Sequence, residues 1–106
     1  MLSSGGPSRH ERPAIDEAAL AAARQADLVL TAAQAGGHAR WATFLAPIPD
    51  RLRDAHLVEL RSVAVQARAA WGPKDSIRDA LPADITEPLR LALDRLLKVI
   101  ARDEAG

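Results

Sequence analysis

The sequence predicts an all-α fold, a small helical bundle of three main helices plus one or two short helices. Apolar residues recur at intervals of three and four over three long segments, and no segment shows the alternation typical of a strand. Glycine and proline separate these segments. A chain of 106 residues is the size of one domain. Because it contains no cysteine, disulfides and cysteine-based metal sites are excluded.

The N-terminal part is predicted to contain a tail and one long helix. Residues 1–13 are polar and rich in Gly, Ser and Pro, so we expect a flexible tail followed by a single helical domain over 14–106. Residues 14–35 are dense in alanine, and the double glycine Gly36-Gly37 is expected to end their helix. The apolar stripe of this helix consists of Ile15, Ala19, Ala22, Ala26, Val29 and Ala33.

A short helix over 38–45 should place Trp41, Phe44 and Leu45 together. Residues 46–49 contain two prolines and are predicted to be extended, because a residue that precedes proline avoids the helical region. These features predict a non-helical connection before the next long helix.

The next helix is predicted to be the longest and the central element of the bundle. Asp50 suits its N-cap, and the apolar spacing continues to about Trp71. Gly72-Pro73 should stop it, and a short turn is expected over 76–81.

The last helix is predicted to begin near Thr86, which would place Pro88 in the first turn, where proline is tolerated. Its apolar face consists of Leu89, Leu93, Leu96 and Ile100.

The charge balance argues against nucleic acid as a partner. Fourteen basic and fourteen acidic side chains cancel to a net charge of zero, and nucleic-acid binding normally needs a concentrated basic face. No stretch approaches eighteen consecutive apolar residues, so we predict a cytoplasmic protein that does not enter a membrane. Abundant alanine, and arginine in place of lysine, are typical of a GC-rich bacterial genome.

The functional prediction is a non-enzymatic interaction or regulatory module without a cofactor or metal. Because alanine buries little apolar area, the first helix should need close neighbours, and we expect self-association as a homodimer or binding to another helical protein. The predicted interface consists of Ala19, Ala22, Ala26, Val58, Arg61, Val65 and Arg68.

A different function is suggested by Arg51-Leu52-Arg53-Asp54-Ala55-His56. This segment resembles the Arg-x4-His motif of HEPN-type all-helical ribonucleases and their nucleotide-binding relatives. The resemblance implies that Arg51 would stabilise phosphate charge and that His56 would transfer a proton. The alternative interpretation is a surface arginine and a half-buried histidine on the flank of a helix.

A third possibility is a small DNA-binding regulator. Residues 66–81 have the outline of a helix-turn-helix, whose second helix would carry Lys74 and Arg78; the alternative is a plain helical corner. Another possibility is a ligand cavity beneath Trp41, Phe44 and Trp71, although these aromatic residues equally suit a hydrophobic core.

Overall fold

The computed structural model describes residues 8–105, and within that range the chain forms helices and turns but no β-strand. The α-helices are α1 (Pro13–Ala35), α2 (Ala39–Leu45), α3 (Ile48–Asp54), α4 (Leu57–Arg68) and α5 (Ala83–Ala105). Single 3-10 turns are present at Arg9–Glu11, Ala69–Trp71 and Ile77–Asp79. The predicted all-α bundle of three main helices plus one or two short helices is confirmed.

Helix α1 is the centre of the bundle. It packs against α5 along much of its length and also contacts α2 and α3. Its predicted stripe is confirmed, since all six of its residues are buried. The prediction that 51–71 would be the central element is wrong, because the methyl side chains of α1 let several neighbouring helices approach its backbone.

The chain between α2 and α4 differs from the prediction. Residues 46–49 are not extended: Ala46 has helical angles (φ −49°, ψ −44°), and α3 begins at Ile48 with Pro49 in its first turn. A proline there loses no hydrogen bond, because the first amides of a helix have no acceptor within it. Asp50 therefore lies inside α3 and is not an N-cap.

The long helix predicted over 50–71 is interrupted. Ala55 and His56 are extended, with ψ values of 143° and 155°, and His56 becomes the N-cap of α4. The carbonyl groups at the end of α3 find another donor: the Arg9 guanidinium donates to the carbonyl oxygens of Leu52, Arg53 and Ala55 over 2.9, 2.6 and 3.2 Å. This long-range cap stabilises the end of α3 in place of a continuing helix.

The tail prediction falls partly on residues 1–7, which lie outside the described residues. Within residues 8–13, where the prediction has only a tail, the structure forms the 3-10 turn Arg9–Glu11 and begins α1 at Pro13. The Ser8 amide donates to Glu11 Oε1 over 2.9 Å, and Arg9 Nε donates to Asp16 Oδ1 over 2.8 Å. Polar contacts hold this segment on the bundle where apolar surface is scarce.

Helix α5 begins at Ala83, earlier than predicted. Thr86 is fully buried within the helix and donates its hydroxyl hydrogen to the Pro82 carbonyl oxygen over 3.3 Å, so it is not the cap. Pro88 lies inside the helix on its exposed side, where its missing amide costs one backbone hydrogen bond.

Gly37 ends α1 as predicted, with a left-handed φ of 72°. A Cβ added there would meet nothing within 4 Å, so the cost of Gly37→Ala is purely conformational. We expect a loss of about 1 kcal/mol in the free energy of unfolding, measured by urea denaturation. Gly72→Ala is the matched control, since Gly72 is extended at ψ 172° and should tolerate alanine. Equal stability of the two variants would contradict the left-handed turn.

Candidate functional site

Three residues of the predicted interface are not available at the surface. Ala19, Ala22 and Ala26 each have an exposed fraction of 0% within a single chain. The apolar faces of the neighbouring helices already cover them, so in this structure they are not open to a second copy.

The remaining apolar members of that prediction lie exposed on the outside of α4. The side of α4 opposite the core carries Val58, which is 78% exposed, and Val65, which is 52% exposed. Ser62, and Ala69 in the turn directly after α4, are exposed and continue the same line at steps of four, three and four residues. We call these four residues the α4 outer face. Sequence reasoning missed Ser62 and Ala69, although this spacing could have identified them.

One flank of the α4 outer face is basic, and its two arginines are paired to different degrees within the chain. Arg68 Nε lies 2.8 Å from Asp94 Oδ1, and Arg61 Nη1 lies 3.7 Å from Glu104 Oε1. The Arg68 guanidinium also lies 5.7 Å from the ring centroid of Trp71. Both predicted interface arginines therefore direct their charge towards α5.

The other flank carries Glu59 and Gln66, and Gln66 Oε1 accepts a hydrogen bond from Arg51 Nη1 over 2.8 Å. The α4 outer face itself bears no charged side chain. An uncharged strip between two polar flanks is typical of a contact between helices.

Arg51 and His56 lie in different surroundings. Arg51 lines a cleft of about 310 Å³ between α3 and α4, where it is accompanied by the carboxylates of Asp50, Asp54 and Glu59. His56 is exposed and is not part of the cleft lining. Three carboxylates beside one guanidinium repel phosphate, so the geometry adds nothing to the hypothesis of a ribonuclease, which stays a prediction.

The helix-turn-helix outline of 66–81 is wrong. Helix α4 ends at Arg68, and the segment that would be the second helix is only the 3-10 turn Ile77–Asp79. Three residues of 3-10 helix cannot extend along a major groove as a recognition helix does. The alternative, a helical corner with a short turn, agrees with the structure; Ser76 caps this turn by accepting a hydrogen bond from the Arg78 amide over 3.2 Å.

The aromatic residues contribute to two different features of the structure. Trp41 and Phe44 pack edge to face with ring centroids 5.6 Å apart. Trp71 instead lines a separate groove of about 350 Å³ near Arg78 and Ala83. Trp41 and Phe44 therefore belong to the packing of α2.

Residues 8–105 contain no cluster of three or more His, Asp or Glu side chains placed to hold a metal ion. His56 and Glu59, one turn apart in the sequence, are both exposed. No helix in the same range is long and apolar enough to cross a membrane.

Searches against protein-family models, curated proteins and solved structures gave no match to this chain. The chain is a small all-α bundle, and its exposed and charged surfaces are the basis for assigning a function.

Proposed function

We propose that this chain is a non-enzymatic interaction module that self-associates through the α4 outer face. The proposal is carried by the exposure of Val58 and Val65, at 78% and 52%, on a strip without charged side chains. Large apolar side chains that lie together in the open favour contact with another apolar surface.

The spacing of the α4 outer face suits a second copy of the same helix. In an antiparallel pair with a two-fold axis between Val63 and Ala64, Val58 would lie opposite Ala69 of the second copy. Ser62 would lie opposite Val65 in the same way. Each valine then meets a small side chain, which allows the two helices to approach closely and pack in a self-complementary way.

The flanks are compatible with this arrangement. An antiparallel pair brings Arg61 near Arg68 of the second copy, which would be repulsive for free arginines. In this chain Arg68 pairs with Asp94 over 2.8 Å, whereas Arg61 has only a loose contact of 3.7 Å with Glu104, so the charge of this flank is partly neutralised before association. Like charges therefore do not oppose the pairing strongly.

The expected dimer is weak. Helix α4 has 12 residues, and two such helices bury less area than the roughly 1,200–2,000 Å² of a stable interface. A dissociation constant in the micromolar range or above is expected. Association that depends on concentration is suited to a regulatory contact.

The test is the mass of the protein in solution, measured by sedimentation equilibrium from micromolar to submillimolar concentration. The parent chain should shift from monomer to dimer over this range. The double substitution Val58→Glu and Val65→Glu should abolish the shift, because it places like charges along both copies of the strip. Both positions are exposed, so folding should persist, and circular dichroism checks this.

Leu91→Glu is the matched control, since Leu91 is 57% exposed on the outer side of α5, away from the α4 outer face. It should dimerise as the parent chain does. A parent chain that stays monomeric at submillimolar concentration would overturn the proposal. Loss of the dimer in Leu91→Glu, with retention in the α4 double variant, would also overturn it, because the interface would then lie on α5.

A further inference from the structure

A pocket of about 620 Å³ lies at one end of the bundle, where the first turn of α1 meets the last turns of α5. Its volume is within the range of small-molecule sites, about 300–1,000 Å³. Four basic side chains line it: Arg12, Arg95, Lys98 and Arg102. The basic lining is noteworthy because the chain as a whole has no net charge.

The positive charge of this pocket is incompletely neutralised. Of its two carboxylates, Asp103 pairs with Arg12 over 2.9 Å, and Glu11 accepts a hydrogen bond from the Ser8 amide over 2.9 Å. That bond holds the pKa of Glu11 below its usual value, since the amide favours the ionised carboxylate. Neither carboxylate forms an ion pair with Lys98 or Arg102.

Within residues 8–105, Lys98 and Arg102 form no ion pair at all, and Arg95 has only a loose contact of 3.5 Å with Glu17. Lys98 and Arg102 are one helical turn apart, so their like charges repel each other. An anion between them would remove this repulsion and supply the missing counter-charge.

The floor of the pocket is apolar. Val99 is half-buried and Pro13 and Ala14 are exposed, so their apolar surface is open to a ligand, whereas Ile15 is almost fully buried behind it. A free inorganic anion would make no use of this surface. A ligand with both a negative group and an apolar body would use the cations and the floor together.

We propose that this pocket binds a small amphipathic organic anion, such as a medium-chain carboxylate. Its charged group lies between Lys98 and Arg102, and its apolar part covers Val99, Pro13 and Ala14. The site is concave, and the carboxylates of Glu11 and Asp103 lie among its cations, which does not suit the extended basic stripe that a nucleic acid requires.

The test titrates decanoate, below its micelle concentration, into the 15N-labelled protein and follows amide chemical shifts by NMR. We expect saturable shifts confined to residues 11–15 and 95–103. Inorganic phosphate supplies charge without an apolar body, and decyltrimethylammonium supplies an apolar chain with the opposite charge. Both should bind at least about tenfold more weakly than decanoate.

The double substitution Lys98→Gln and Arg102→Gln should weaken decanoate binding by at least about tenfold. Lys74→Gln with Arg78→Gln is the control, because it removes the same charge from exposed positions away from the pocket. This control should bind as the parent chain does, which separates a local site from a general effect of net charge.

Two single substitutions should act in opposite directions. Ala14→Asp places a carboxylate in the pocket at an exposed position in the first turn of α1, where an acidic residue favours the helix, so binding should fall while the fold is kept. Asp103→Asn releases Arg12 from its ion pair, so binding should become tighter.

The proposal would be overturned by decanoate shifts that do not saturate or that lie elsewhere on the chain. It would also be overturned if phosphate or decyltrimethylammonium bound as tightly as decanoate. Equal affinities of the parent chain and the Lys98→Gln, Arg102→Gln variant would overturn it too.

Discussion

Replacement of Leu93 by alanine should destabilise the protein by about 2–5 kcal/mol, the range observed for a leucine removed from a packed core. Leu93 is fully buried on the face of α5 that belongs to the core. The facing helix α1 presents mostly methyl groups, which have no rotamers with which to fill the space left behind. The cavity should therefore persist, and the loss should lie in the upper part of the range.

The loss is large relative to the total stability of a domain this size, which is about 5–15 kcal/mol. Urea denaturation followed by circular dichroism measures it. Leu91→Ala is the matched control, because Leu91 lies on the same helix but is 57% exposed, and we expect a change within about 0.5 kcal/mol. Equal effects of the two substitutions would show that α5 does not present the Leu93 side to the core.

Elements fixed by local chemistry could be predicted from the sequence. The extent of α1 follows from its apolar period and from Gly37, whose left-handed φ of 72° ends the helix. The turn capped by Ser76 and the stop at Gly72-Pro73 are local in the same way. Each depends on residues within a few positions along the chain.

The break between α3 and α4 could not be predicted, because it depends on a distant residue. Leu52, Leu60, Val63 and Ala67 would fall on one side of an unbroken helix over 50–71, so the pattern alone favours a continuous helix. The carbonyl groups that are released at the break are bound by Arg9, which is 43 positions from Leu52 in the sequence. A sequence read segment by segment does not contain this contact.

In the candidate sites too, local features could be predicted from the sequence and long-range contacts could not. Periodicity identified the apolar face of α1 but not the helices that cover it. The alanines that were assigned to an interface between copies are buried within the chain. Val58 and Val65, which were also assigned to the interface, are exposed on α4. The basic pocket combines residues 11–15 with residues 95–103, so only the folded chain brings it together.

Arg9→Ala should destabilise the protein by about 2–4 kcal/mol, because several charge-assisted hydrogen bonds are lost together. The Arg9 side chain is only 12% exposed, and its loss leaves the carbonyl oxygens of Leu52, Arg53 and Ala55 without their donor. Asp16 loses its partner as well. Arg9 Nη2 is buried without an acceptor among residues 8–105, and this cost keeps the expected loss below the sum of the bonds.

The loss should be concentrated at the end of α3, where amide hydrogen exchange measured by NMR should accelerate more than in the centre of α1. Arg9→Lys should recover less than half of the stability, because an ammonium group keeps the charge but lacks the planar fork that reaches several acceptors at once. Arg95→Ala is the control: its ion pair with Glu17 is long, at 3.5 Å, and exposed, so the change should stay within about 1 kcal/mol. If Arg9→Ala and Arg95→Ala cost the same, Arg9 does not cap α3, and the bend at Ala55 and His56 must be held by packing alone.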